Sequence, residues 1–151
     1  GGYTIYVSDL YARGGWDFFY ALECTASQPH VVATLDANAY KLEPGKTVEL
    51  KVNAKITGSL KGKLLAHAEG LPDGVTVKEV EVPAKGGEVK LILSATAEAT
   101  PANQPFTVVL TTSSPDASLT TKATYDLRGT EPRGDRLINQ DSAVWITVTG
   151  K

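Results

Sequence analysis

The chain contains no methionine and a single cysteine, Cys24, among its 151 residues. One cysteine excludes an internal disulfide framework, and without an initiator methionine the chain reads as a piece of a longer product. Histidine is scarce too: only His30 and His67 are present, far apart in sequence. A zinc site needs three or four closely grouped Cys and His, so none is expected. A large excess of either sign of charge is missing, since 15 Lys and Arg against 17 Asp and Glu leave a net charge of -2. Proteins that grip phosphate backbones carry a basic surplus, so nucleic acid is not an expected partner. No apolar run approaches the ~20 residues of a membrane-spanning helix, so membrane insertion is not expected either. Residues 1–3 open no signal-peptide pattern.

Val, Thr and Ile are plentiful, and their branched Cβ atoms suit pleated strands better than helices. Over residues 46–56, Val48, Leu50, Val52, Ala54 and Ile56 alternate with Thr47, Glu49, Lys51, Asn53 and Lys55. That is the period of a strand with one wet face. Residues 88–97 repeat it, with Val89, Leu91, Leu93, Ala95 and Ala97 on one face and only Ile92 breaking the polar one. Phe106, Val108 and Leu110 are matched by Leu119, Thr121, Ala123 and Tyr125, while Val144, Ile146 and Val148 make a closing strand with Trp145 opposite. Pro44-Gly45, Pro72-Asp73-Gly74, Lys85-Gly86-Gly87 and Ser114-Pro115-Asp116 punctuate these runs as turns. Ala and Glu in residues 95–103 favour helix, but Thr100-Pro101 makes a loop the expectation. Short alternating strands between turns point to an all-β chain folded as an antiparallel β-sandwich.

Residues 1–28 differ in kind. Tyr3, Ile5 and Val7 alternate with Thr4, Tyr6 and Ser8; Phe18, Tyr20, Leu22 and Cys24 share a second face; Arg13-Gly14-Gly15 separates the two. The expectation is an extra N-terminal β-hairpin on a sandwich of residues 29–151. Two strands alone are marginal in water, so the hairpin either docks on the sandwich or ends a preceding domain.

Several stretches carry a resemblance: residues 20–35 (YALECTASQPHVVATL), 42–48 (LEPGKTV), 70–76 (GLPDGVT), 82–93 (VPAKGGEVKLIL) and 143–148 (AVWITV). Together they resemble the immunoglobulin-like module of large bacterial secreted proteins, which often follows a domain of the pre-peptidase C-terminal type. The resemblance implies an immunoglobulin-like sandwich, and it makes residues 1–28 the remnant of that preceding domain. It also implies a location that is extracellular, at the cell surface or periplasmic, and it brings no catalytic residues.

The residues themselves offer little chemistry. His30 follows Pro29 at a strand start and His67 lies beside Ala66 and Leu65, so both read as surface or strand-edge histidines rather than members of a triad. Cys24 falls on the Phe18/Tyr20/Leu22 face, where a thiol behaves as a small hydrophobe. Asp9, Asp17 and Asp36 are candidate calcium ligands at one end of the sandwich, but no spacing matches a calcium loop and they read as turn acids. Lys85-Gly86-Gly87 lacks the ending of a phosphate loop. Arg133-Gly134-Asp135 spells a tripeptide that animal integrins read, although Gly134 between two charges also makes an ordinary turn.

The expected function is therefore a non-catalytic structural or interaction module of a larger exported bacterial protein, without cofactor or metal. Its expected partners are the neighbouring domains of that protein, with a further protein or polysaccharide admitted. The alternative from another class is a carbohydrate-binding module that stacks sugars on Tyr11, Trp16 and Phe19 of the N-terminal hairpin. A hydrolase would require a cleft with paired acids or an activated nucleophile.

Overall fold

The computed structural model describes residues 2–11, 13–15, 21–23, 29–113, 118–131 and 134–150. Its strands, in chain order, are β1 (His30–Leu35), β2 (Ala39–Leu42), β3 (Thr47–Thr57), β4 (Leu64–Glu69), β5 (Val75–Val77), β6 (Val80–Val82), β7 (Gly87–Ala95), β8 (Ala102–Thr112), β9 (Thr120–Lys122), β10 (Tyr125–Glu131), β11 (Gly134–Asp141) and β12 (Val144–Val148). No helix occurs among the described residues. One sheet has the order β1-β3-β7-β5; the other has the order β2-β12-β8-β4-β6, with β9 also on β8. Pairing is antiparallel except between β2 and β12, which run parallel. From β1 to β8 every connection passes from one sheet to the other.

The inner faces are those that the alternation marks. Leu50 and Val52 on β3 and Leu91 and Leu93 on β7 are fully buried, as are Val108 and Leu110 on β8 and Val144 and Ile146 on β12. Each such side chain contributes roughly 1.5–3 kcal/mol by leaving water. Phe106 lies among them, its ring 6.4 Å from that of Tyr40 and tilted by 59°. The turn formers fall where expected: Lys46 N–H donates to the Glu43 carbonyl across Pro44-Gly45, Val75 N–H to Pro72, and Gly86 N–H to Pro83. Residues 96–101 form the expected loop, and because β7 ends at Ala95, Ala97 is exposed instead of facing inward. Ser114-Pro115-Asp116 lies outside the described residues.

Two expectations are corrected. The described residues 2–11 form no strand, and Tyr3, Ile5, Tyr6 and Leu10 are exposed. Leu22, expected on a buried face, is exposed as well; Phe18, Tyr20 and Cys24 lie outside the described residues. Alternation suggests a strand, but the ladder hydrogen bonds need a partner, and residues 2–11 have none among the described residues.

The switch between sheets from β1 to β2 is pinned by a hydrogen bond from buried Tyr40 to exposed Asp36. Tyr40 donates its hydroxyl to Asp36 Oδ1 at 3.1 Å across the bend of residues 36–38. Burial, and after it the Asp36 carboxylate, push this phenol above its ordinary range. The unfolded chain then releases the proton more readily than the folded one. The resulting stability is present below about pH 10 and lost as the pH climbs past it. In thermal melts, Tyr40→Phe is expected to be less stable than wild type near neutrality, by about 1 kcal/mol, and to close that gap in alkali. A gap that stays constant to the alkaline end would show that Tyr40 does not titrate with unfolding.

Candidate interaction surface

A two-stranded ribbon leaves the second sheet at an unusual place. Ala123, just past β9, donates to the Val108 carbonyl at 2.8 Å, and Val144 at the start of β12 stands opposite Phe106. Only Thr107 of β8 separates these two pairings, so β9 and β12 are two halves of one strand beside β8. Residues 124–143 are an excursion from it, carrying β10 and β11. Thr124 crosses to the other sheet, donating to the Ala33 carbonyl at 2.9 Å and accepting from Leu35 N–H at 2.8 Å. The foot is then clasped: Tyr125 donates its hydroxyl to the Ala143 carbonyl at 3.1 Å, and Asp141 Oδ1 accepts from Ser142 N–H and Ala143 N–H. Burial and then the Asp141 carboxylate raise the Tyr125 phenol above its ordinary value, so at neutral pH the donor keeps its proton.

Along the ribbon, Asp126 is the polar hub. Arg128 Nη2 and Gln140 Nε2 donate to its two oxygens at 2.7 and 2.9 Å, and these bonds hold its carboxyl below the ordinary range. The register slips between Leu127, opposite Asn139, and Arg128, opposite Leu137, which leaves Ile138 as the extra residue of a β-bulge. The Ile138 side chain lies over Gly129, where a Cβ would come within 2.8 Å of its Cδ1. Leu137 and Ile138 are nonetheless exposed, and so is the whole of β11 up to Asp141. Beyond β11, Trp145 of β12 is also exposed, opposite Ala39 and Pro105 on the outer face of the second sheet.

At the foot of the ribbon lies a groove of about 430 Å³ lined by residues 34–38 with Tyr125 and Asp126. A second cleft of about 470 Å³ lies near the β3–β4 connection and includes the Lys63–Glu81 ion pair at 2.7 Å. The first groove brings Asp36 and Asp126 together. A hydrolytic acid has to keep its proton near neutrality. Asp126 is driven the opposite way by Gln140 and Arg128, and Asp36 is engaged by Tyr40. Among the described residues neither histidine is hydrogen-bonded to a hydroxyl or thiol: His30 is exposed at the start of edge strand β1, and His67 Nε2 lies 3.3 Å from Glu69 Oε1. Among the described residues no three His, Cys, Asp or Glu side chains converge as metal ligands. Asp9 instead accepts from Arg13 N–H and Tyr11 N–H, and Asp17 lies outside the described residues.

Of the three aromatics expected to stack sugars, Trp16 and Phe19 lie outside the described residues. Tyr11 is exposed, but the Arg13 guanidinium sits 5.0 Å from its ring centroid and occupies one of its faces. Of the Arg-Gly-Asp tripeptide, Gly134 and Asp135 open β11 and are exposed, while Arg133 lies outside the described residues. The ribbon itself was not an expectation of the sequence. Its only signals there are the Leu137-Ile138 pair in a polar stretch and the glycines at 129 and 134. No protein-family model matches the chain, and no curated protein matches it.

Proposed function

We propose that the chain is a non-catalytic, immunoglobulin-like structural or interaction module of a larger exported bacterial protein, acting outside the cytoplasm. The strand order carries the reading. With β1, β3, β7 and β5 taken as strands A, B, E and D, the first sheet has the order of an immunoglobulin constant-type sheet. β12, β8 and β4 then supply G, F and C of the facing one. The work of such a module is geometric: a stiff body fixes the spacing of its neighbours, and edges and loops meet partners. The exposed Tyr3, Tyr6 and Leu10 support a second part of the reading, in which residues 1–28 belong with a preceding pre-peptidase C-terminal-like domain that covers them.

The test is the location and size of the parent protein in the source organism. Antibodies raised against residues 29–151 are expected to detect, in the envelope or culture fluid, a polypeptide much longer than 151 residues. A cytoplasmic band of this chain's own size would overturn the proposal.

A further inference from the structure

We infer that the outer face of the second sheet at Trp145 is a stacking platform for a glycan built of pyranose rings with equatorial hydroxyls. The first observation is the exposure of the indole. β12 lies between β2 and β8, and on such an inner strand flanking side chains ordinarily shield an apolar residue of the outer face. Val109 on the same face, between His67 and Lys122, is shielded in this way and is 2% exposed. Trp145 is larger and is 45% exposed, because the residues opposite it on its two sides are Ala39 and Pro105, both too short to cover a ring. Among the described residues no second ring packs on the indole and no cation lies over it. Its backbone is held by ladders on both sides, so the platform exists before any ligand arrives.

The second observation is the setting of the ring. β4 ends at Glu69, opposite Thr107, so among the described residues the sheet around Pro105 consists of β2, β12 and β8. Ala39, Trp145 and Pro105 cross it in one row, a low apolar strip of roughly 10 Å, or two strand spacings. The next row on the same face is Lys41, Thr147 and Asn103, all exposed. Thr147 donates its hydroxyl to Asn103 Oδ1 at 3.1 Å, which leaves the Asn103 amide nitrogen to donate elsewhere. A pyranose with equatorial hydroxyls has this pattern in reverse, since its faces carry C–H bonds and its rim carries the hydroxyls. Size then selects the occupant. A tryptophan side chain buries about 250 Å² at most and under half of this one is open, whereas a stable protein partner needs roughly 800 Å² on each side. Trp145 is the one large apolar side chain exposed on this face among the described residues, so the strip is too small to seat a protein and suits one or two sugar rings. The inference does not depend on the location or size of the parent protein, so its failure leaves the proposed function standing.

Titration of the whole chain with cellohexaose and with N-acetylchitohexaose, followed by nitrogen–proton correlation NMR, tests it. At least one of the two is expected to give saturable shifts of the Trp145 indole N–H and of the Ala39, Lys41 and Thr147 amides, with a Kd on the order of 1 mM. Trp145→Ala is expected to weaken binding about tenfold or more, and Trp145→Phe, which keeps a ring, to weaken it less. Ala39→Glu leaves the indole in place and sets a longer, charged side chain beside it. It is expected to weaken binding about tenfold with an unchanged thermal melt, because Ala39 is exposed. No shift from either sugar at about 10 mM would overturn the inference. So would shifts confined to residues away from this face, the Trp16 indole included, or an Ala39→Glu variant that binds as wild type does. Self-association in sedimentation that Trp145→Ala abolishes would overturn it as well, by making the face a protein contact.

Discussion

Phe106→Ala is expected to remove roughly 3–5 kcal/mol of folding stability, a large share of the about 5–15 kcal/mol of a typical domain. Phe106 heads the fully buried side chains by size, and it sits where the two sheets and the split edge strand meet. It stands opposite Val144 of β12 and against the ring of Tyr40 on β2, so truncation opens a void touching three strands. Those neighbours are themselves held in ladder register and cannot collapse into the space, which places the cost in the upper part of the range. Urea unfolding followed by tryptophan fluorescence or circular dichroism measures it as a lower midpoint at unchanged slope. A loss below about 1 kcal/mol would mean that the inter-sheet layer repacks freely around this position.

Two adjacent glycines supply the second large effect and its own control. Gly86 has φ +78°, in the left-handed region, and a Cβ there would run into the backbone carbonyl oxygen of Ala54 on β3. Gly87 has φ +128° with nothing within 4 Å of its would-be Cβ. Gly86→Ala therefore adds a collision with a strand interior to backbone strain, for a total loss of roughly 2–5 kcal/mol. Gly87→Ala meets the strain alone. Chemical denaturation of the pair should separate them by roughly 1–3 kcal/mol, the part due to overpacking. Equal losses would show that β3 yields to the added methyl group and that the close approach is not a constraint.

The strands that sequence revealed are those with one wet face and one dry one. Leu50, Val52, Leu91 and Leu93 are buried where their period-two pattern puts them. Partner choice was not legible, because successive strands from β1 to β8 belong to opposite sheets, and each pairing is made between segments far apart in the chain. Val109 broke the pattern for a related reason. It stands on the outer face of β8 with His67 on one side and Lys122 on the other, and in that central position flanking side chains exclude water from an apolar residue. The ribbon escaped notice because its bulge sets Leu137 and Ile138 next to each other and destroys the alternation that marks a strand. The reverse error lies in residues 2–11, where a sound alternation of Tyr3, Ile5 and Val7 has no partner strand among the described residues. Of the candidate surface, then, only the Gly134 turn was legible in sequence, while the ribbon that contains it was visible only in three dimensions.

The parallel pairing of β2 with β12 has a mechanical consequence. Ala39, Tyr40, Lys41 and Leu42 lie beside Trp145, Ile146, Thr147 and Val148 in the same direction. Tension applied between the chain before β1 and the chain after β12 therefore pulls the two strands along each other. The load falls on all the hydrogen bonds between them together, whereas an antiparallel pair drawn from one end opens them in succession. Resistance to stretching is accordingly concentrated in one short contact, formed by the first strands and the last.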